Sequence, residues 1–193
     1  MKYAFSLLLL MGLACCKPAS DKENPNMSSS LLSADSVNEP AKTVLAFLNW
    51  YKANEKTIQN INLVKNMGDT TKVYAIDFKE TDAYLKALQQ SGFISDKYLA
   101  TQRKYFTQCD ANFKKNRQNE GPPDGMDFNL VMLSQDYEHA LSQLEKAKVI
   151  TCIISVKKAM VIIEFSDKSK LRYFLDWKNP KWAIESIHTE DTL

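Results

Sequence analysis

The C-terminal third of the chain holds four β-rich runs: Val149 to Val156, Met160 to Phe165, Leu171 to Trp177 and Trp182 to His188. They are joined by Lys157-Lys158, Ser166-Asp167-Lys168-Ser169 and Lys178-Asn179-Pro180-Lys181. Connections this short join antiparallel neighbours, so the four runs predict a meander. In the third run Leu171, Tyr173, Leu175 and Trp177 alternate with Arg172, Phe174 and Asp176. That alternation predicts a sheet with one buried face and one partly polar face.

Upstream, the apolar spacing is helical. Ser36 and Glu39 have capping-box spacing and Pro40 suits a first helical position, so a helix is expected from Pro40. Val44, Phe47, Leu48 and Tyr51 form its stripe, flanked by Leu45 and Trp50. Residues 58–64 read as a second helix, ended by the Gly68-Asp69 turn signal. Val73 to Phe78 reads as a strand, and Asp82 to Ser91 as a helix closed by Gly92. The clearest helix starts at Ser95, with Tyr98, Leu99, Gln102, Tyr105, Phe106, Cys109 and Phe113 on one face. Residues 116–127 form a loop around Gly121-Pro122-Pro123-Asp124-Gly125, a lid or a surface excursion, and Asp136 is a candidate cap for the segment that follows. Helices first and a meander after predict an α+β domain, with the helices packed on a curved antiparallel sheet. A folded part of ~150 residues buries ~70% of its unfolded-chain surface and needs no disulfide.

The first residues read as an address. Lys2 precedes an apolar run from Tyr3 to Ala14 that is too short to span a bilayer, which takes ~20 residues, and fits a secretory signal. Ala14-Cys15-Cys16 follows. A small residue directly before a cysteine at the end of such a run resembles the lipobox of bacterial lipoproteins, with Cys15 as the acylated residue and Cys16 as the alternative. Residues 17–38 are rich in Ser, Asn, Asp, Pro and Lys, the composition of a flexible tether. The expected organisation is a signal peptide over 1–14, a tether over 15–38 and one α+β domain over 39–193. The product would be exported and held to a bacterial membrane by its acyl chains, facing the periplasm or the surface.

The element order, with Phe47-Leu48-Asn49-Trp50-Tyr51, Ser134-Gln135-Asp136-Tyr137 and Trp182-Ala183-Ile184-Glu185-Ser186-Ile187, resembles a family of uncharacterised Bacteroidetes-type lipoproteins. Their domain has the cystatin-like, or nuclear-transport-factor-2-like, cone fold. The resemblance spans residues 40–188 and implies a helix-backed cone, but no activity. In such a cone Trp50, Tyr74, Asp77, Tyr98, Tyr105, Trp177 and Trp182 are the candidates to line a pocket, or else are core. Asp77 stands between Ile76 and Phe78, as a pocket carboxylate able to act as a general base or as an outward strand residue. The bacterial group also suggests O-glycosylation at Asp-Ser/Thr-apolar sites, here Ser36, Thr70 and Thr192.

Composition narrows the function. The chain has 25 Lys+Arg against 23 Asp+Glu, a formal charge of +2. Its arginines are Arg103, Arg117 and Arg172. Neither the balance nor the scarcity of Arg suits nucleic acid. No Cys-x-x-Cys occurs, and His139 and His188 are the only histidines, so no zinc pattern is present. No nucleophile is placed near either histidine by a motif. No cofactor or metal is expected, and Cys109 and Cys152 are expected as unpaired small hydrophobes rather than a disulfide.

The leading expectation is therefore a non-enzymatic envelope domain that binds a small ligand, a glycan or a protein partner. The alternatives are an interaction or inhibitor module using the outer sheet face, and a small enzyme based on Asp77. Exposed Met160, Phe174 or Ile184 would favour the outer face.

Overall fold

The computed structural model describes residues 34–190, with side chains from residue 39 onward. The expected signal peptide, Cys15, Cys16, Thr192 and the side chain of Ser36 lie outside the described residues, as does the tether up to residue 33.

The first helix, α1 (Ala34–Gln59), begins before Pro40 and runs through it. Pro40 removes one rung of the helix rather than starting it, and the Thr43 hydroxyl donates to the Glu39 carbonyl one turn back (2.9 Å). Val44, Phe47, Leu48 and Tyr51 are all fully buried, as their spacing requires.

No second helix follows. The Ile61 N–H turns back to the Ile58 carbonyl (3.2 Å) and the chain leaves the helix. Ile58 and Val64 are buried all the same, from a turn and from strand β1 (Val64–Lys65). The expected strand from Val73 shrinks to β2 (Ala75–Ile76), paired antiparallel with β1. It stops because Asp77 caps the next helix, α2 (Phe78–Gln90), accepting from the amides of Lys79 (3.1 Å) and Glu80 (3.3 Å). Helix α2 therefore starts four residues before the sequence reading placed it.

The long helix α3 (Asp96–Asn116) starts as expected, with the Ser95 hydroxyl accepting from the Tyr98 amide (3.2 Å). Asp136 stands at the N-cap of α4 (Tyr137–Ser142), but its side chain makes no capping bond, contrary to the reading from spacing. A 3-10 turn over Leu144–Lys146 leads into the sheet.

The four C-terminal strands are β3 (Lys148–Ser155), β4 (Lys158–Glu164), β5 (Lys170–Lys178) and β6 (Lys181–Thr189). They form an open antiparallel sheet in sequence order. The fold is α+β, with N-terminal helices against a C-terminal meander. Helix α1 crosses the sheet, touching β3, β4 and β6, and α3 touches β6. Val161, Ile163, Leu171, Tyr173 and Leu175 meet the helices from the inner face.

The two edges of the sheet differ. Beside β6 the Phe93–Ser95 segment adds backbone bonds: Ile184 N–H to the Phe93 carbonyl (2.8 Å) and Ser95 N–H to the Ile184 carbonyl (3.0 Å). Beyond β3 there is no further strand among the described residues.

Candidate functional site

The side chains expected around an interior pocket are dispersed by the fold. Trp50 is half-buried and stacks on Phe47 with ring centres 6.2 Å apart. Trp177 and Trp182 pack edge to face at 5.4 Å where β5 and β6 pair. Tyr98 is buried in the first turn of α3. Tyr74 donates to the Gly121 carbonyl (3.0 Å) and Tyr105 to the Gly125 carbonyl (2.5 Å), so both fasten the loop after α3. No cavity described here is lined by two of the seven. Among the fully buried large side chains are Phe47, Tyr51, Phe106, Phe113 and Tyr173, which fill the space a cone would leave.

Asp77 is a helix cap at the surface rather than a pocket carboxylate. Partial desolvation pushes its carboxyl up. Lys65 (3.2 Å) and the Glu80 and Lys79 amides outweigh that and hold it below the usual carboxylate value. A general base needs the opposite shift. The buried carboxylates are others. Asp110 on α3 accepts from the Ile76 amide (3.0 Å) and pairs with Lys114 (2.6 Å). Glu185 pairs with Lys97 (2.8 Å) and Lys158 (3.2 Å). Asp176, beside it, is held far below the usual carboxylate range by Lys158 first, then Lys178. Each is satisfied by lysines whose ends reach solvent. Among the described residues no group of three or more His, Cys, Asp and Glu is placed to hold a metal.

The loop from Arg117 to Asp136 is tied down at several points and is no free lid. Besides the two tyrosines, Gln118 bonds the Pro122 carbonyl (2.8 Å) and the Asp124 amide (3.0 Å). Its anchor is Asn129, buried and unforeseen from sequence. The Asn129 Oδ1 accepts from the amides of Val131 (3.0 Å) and Met132 (2.9 Å) and from the Tyr51 hydroxyl (3.1 Å). Gln59 and the Asn129 amide group donate to that same hydroxyl (3.1 and 2.8 Å). Behind this anchor lies a cavity of about 180 Å³, between the turn after α1, helix α2 and the loop.

The other exposed feature is apolar. Val149, Ile150 and Ile153 of β3, Val156 in the turn after it and Phe174 of β5 are exposed, Ile153 at 57% and Val156 at 90%. Ile153, Met160 and Phe174 stand directly opposite one another across three strands on the outer face. Phe174 leans on the His188 ring (5.7 Å). Ile184 does not join them; it is fully buried. A bulge opposite Phe174 and Leu175 changes which residues face inward, from Trp182 and Ile184 before it to Ile187 after it. Lys148 is the single charged residue within β3.

Thr70 is exposed in the turn before β2, where a glycan would be solvated. Cys109 and Cys152 are both thiols, with no disulfide between them, and burial pushes both up. No helix of the described residues is long and apolar enough to cross a membrane. Compared with protein families, curated proteins and solved structures, the chain matches none.

Proposed function

We propose that this chain is a non-enzymatic interaction protein of the bacterial envelope, tethered through an acylated Cys15 or Cys16. Its domain binds an envelope protein by taking an extended, apolar segment of that partner along the open edge of β3. The observation that carries the reading is the pairing of a strand edge with no further strand beside it among the described residues with an apolar row on the outer face, in which Ile153 and Phe174 are exposed and Met160 between them is half-buried. Folded proteins blunt a bare edge with charge, proline, a covering segment or a bulge. The β6 edge is covered by Phe93–Ser95. Among the described residues the β3 edge has Lys148 and a bulge near Val149 at its start, and from Thr151 to Ser155 no charged residue, proline, bulge or further strand.

An added strand would gain main-chain hydrogen bonds from the edge and apolar contact from alternate side chains. A glycan would need clustered polar donors, which the row Ile153, Met160, Phe174 does not offer. The filled interior and the capping role of Asp77 remove support from an enzyme built on that carboxylate.

The test places a photo-crosslinking amino acid at Ile153 and, for reference, at the exposed Lys104 of α3, in the full-length chain in its native envelope. A discrete protein adduct from position 153 that is absent from position 104 is expected, and Phe174→Lys should reduce it. Matching adducts at both positions, or none at 153, would contradict the proposal. An adduct of twice the chain mass would make the partner a second copy.

A further inference from the structure

We infer that one end of the domain is a docking surface for an anionic bilayer, with Val156 as its apolar tip. The inference rests on the membrane tether of the proposed function and not on the β3 edge. Two turns build the surface. Ser155 pairs with Lys158 and Lys178 with Lys181, so the β3–β4 and β5–β6 connections are tight. Lys158 stands opposite Asp176 in β5, which puts both turns at the same end of the sheet. Helix α1 enters the domain there too: Glu39, Lys42 and Thr43 near its start share a groove with Pro180 and Lys181. The chain before α1 carries Cys15 and Cys16, so an acylated cysteine ties the domain from this end.

Val156 is the first observation. It is 90% exposed and its φ is +52°. A β-branched side chain is strained in that region, and turns that need it take Gly, Asn or Asp. Neither the backbone nor the folded core accounts for a valine here. An apolar side chain held at a tip against both preferences gains only where something covers it.

Charge says what covers it. The segments Val156-Lys157-Lys158 and Lys178-Asn179-Pro180-Lys181 hold four lysines and no acid. Asp176 and Glu185 answer Lys158 and Lys178 from behind, with side chains only 14% and 7% exposed. Lys42, Lys157 and Lys181 are exposed and form no ion pair among the described residues; the Lys181 ammonium donates to the Gly92 carbonyl (2.8 Å). With Lys97 included, the lysines of this end exceed its carboxylates, Glu39, Asp96, Asp176 and Glu185, by two. At the opposite end the turn after β4 carries an acid, Asp167, beside Lys168, and Lys168 pairs with Glu164 (3.2 Å). Exposed lysines around an apolar tip match anionic headgroups over a hydrocarbon layer. A tether keeps the two surfaces close, so a weak contact is enough.

The experiment uses the full-length chain with an environment-sensitive fluorescent amino acid at Ser155, next to the tip, or at Ser169 in the opposite turn, about 20 Å away along β4. The vesicles are phosphatidylcholine containing brominated lipid, with or without a third of the lipid as phosphatidylglycerol. On the anionic vesicles position 155 should lose most of its emission and position 169 little. Salt at ~1 M, where screening shortens to ~3 Å, should restore the emission at 155. Lys157→Glu with Lys181→Glu should abolish the loss. Val156→Asn should weaken it while raising the melting temperature, because Asn suits the turn. Equal quenching at the two positions, none at 155 on anionic vesicles, or a loss at 155 that survives salt and the lysine variant would overturn the docking surface. A loss unchanged in Val156→Asn would overturn the apolar tip. Flotation of the same chain with phosphatidylcholine vesicles alone reports the acyl anchor, so a failed anchor and a failed surface are told apart.

Discussion

Asn129→Ala should destabilise the domain strongly. Asn129 is 4% exposed, and its Oδ1 takes three donors: the amides of Val131 and Met132 and the Tyr51 hydroxyl. Val131 is fully buried and Met132 nearly so, which leaves their amides no water to turn to. Each buried donor stripped of its acceptor costs ~1–3 kcal/mol. At the low end three such losses give ~3 kcal/mol, before any term for the space left by the side chain. For a domain of this size each kcal/mol lowers the melting temperature by ~2–4 °C, so a fall of ~6–12 °C is expected.

Tyr51→Phe keeps both backbone amides satisfied but removes the hydroxyl that donates to Oδ1 and accepts from Gln59 and the Asn129 amide group, so it should cost ~1–2 kcal/mol, less than Asn129→Ala. Urea unfolding of both variants and of the double variant gives the coupling directly. Because the two groups share bonds, a coupling of ~0.5 kcal/mol or more is expected. A loss below ~1 kcal/mol for Asn129→Ala, or additive effects in the double variant, would refute the claim that Asn129 anchors the loop.

Other outcomes follow from single features. Gly125 has φ +77°, and a Cβ there would stand 2.9 Å from the Tyr105 hydroxyl, so Gly125→Ala should cost ~2 kcal/mol by urea unfolding through backbone strain and clash together. Asp77→Ala should cost ~1 kcal/mol through loss of the α2 cap, and Asp77→Asn much less because Asn caps as well, both read by thermal melts. Burial holds the hydroxyls of Tyr84, Tyr98 and Tyr173 above their ordinary value of 10.0, and it is also the first cause that raises Tyr105, to about 12. These groups stabilise the fold fully below pH ~10, where they are protonated in both states, and less as pH rises past it, since the unfolded chain then sheds protons the folded one keeps. Urea midpoints should fall between pH 10 and 12, and the tyrosinate absorbance of the folded protein should lag that of the unfolded one. Alkylation without reductant, read by intact mass in denaturant, should label both Cys109 and Cys152.

The sheet was the most legible part of the fold. Alternation along Leu171, Tyr173 and Leu175, cut by short polar turns, fixes strand number, direction and inner face, because strand periodicity is local. The α3 cap at Ser95 and its stripe were legible for the same reason. What failed depends on competition between neighbours. Asp77 sits in a strand-like run, but one carboxylate accepting two amides starts a helix there. Pro40 looks like a helix start, yet the helix begins earlier. Ile184 looks outward until the bulge in β6 changes the parity. The aromatic candidates were recognised as large and apolar, but whether aromatics line a hole or fill it is decided by how helices and sheet close together. Asn129 gave only the signal of a lone Asn between Phe128 and Leu130, and Tyr51 that of a core position. Their meeting across 78 residues of chain is a tertiary fact.

The central claim is that β3 receives a partner strand. Hydrogen exchange by mass spectrometry tests it most directly, comparing the full-length chain in native envelope membranes with the same chain purified. A strand added at the edge would bond the amides on that side of β3, so peptides covering residues 148–155 should exchange more slowly in the membranes. Peptides from β5, which already has β4 and β6 on its two sides, should be unchanged. Equal exchange of residues 148–155 in the two settings, or protection confined to the outer side of α3, would contradict the account.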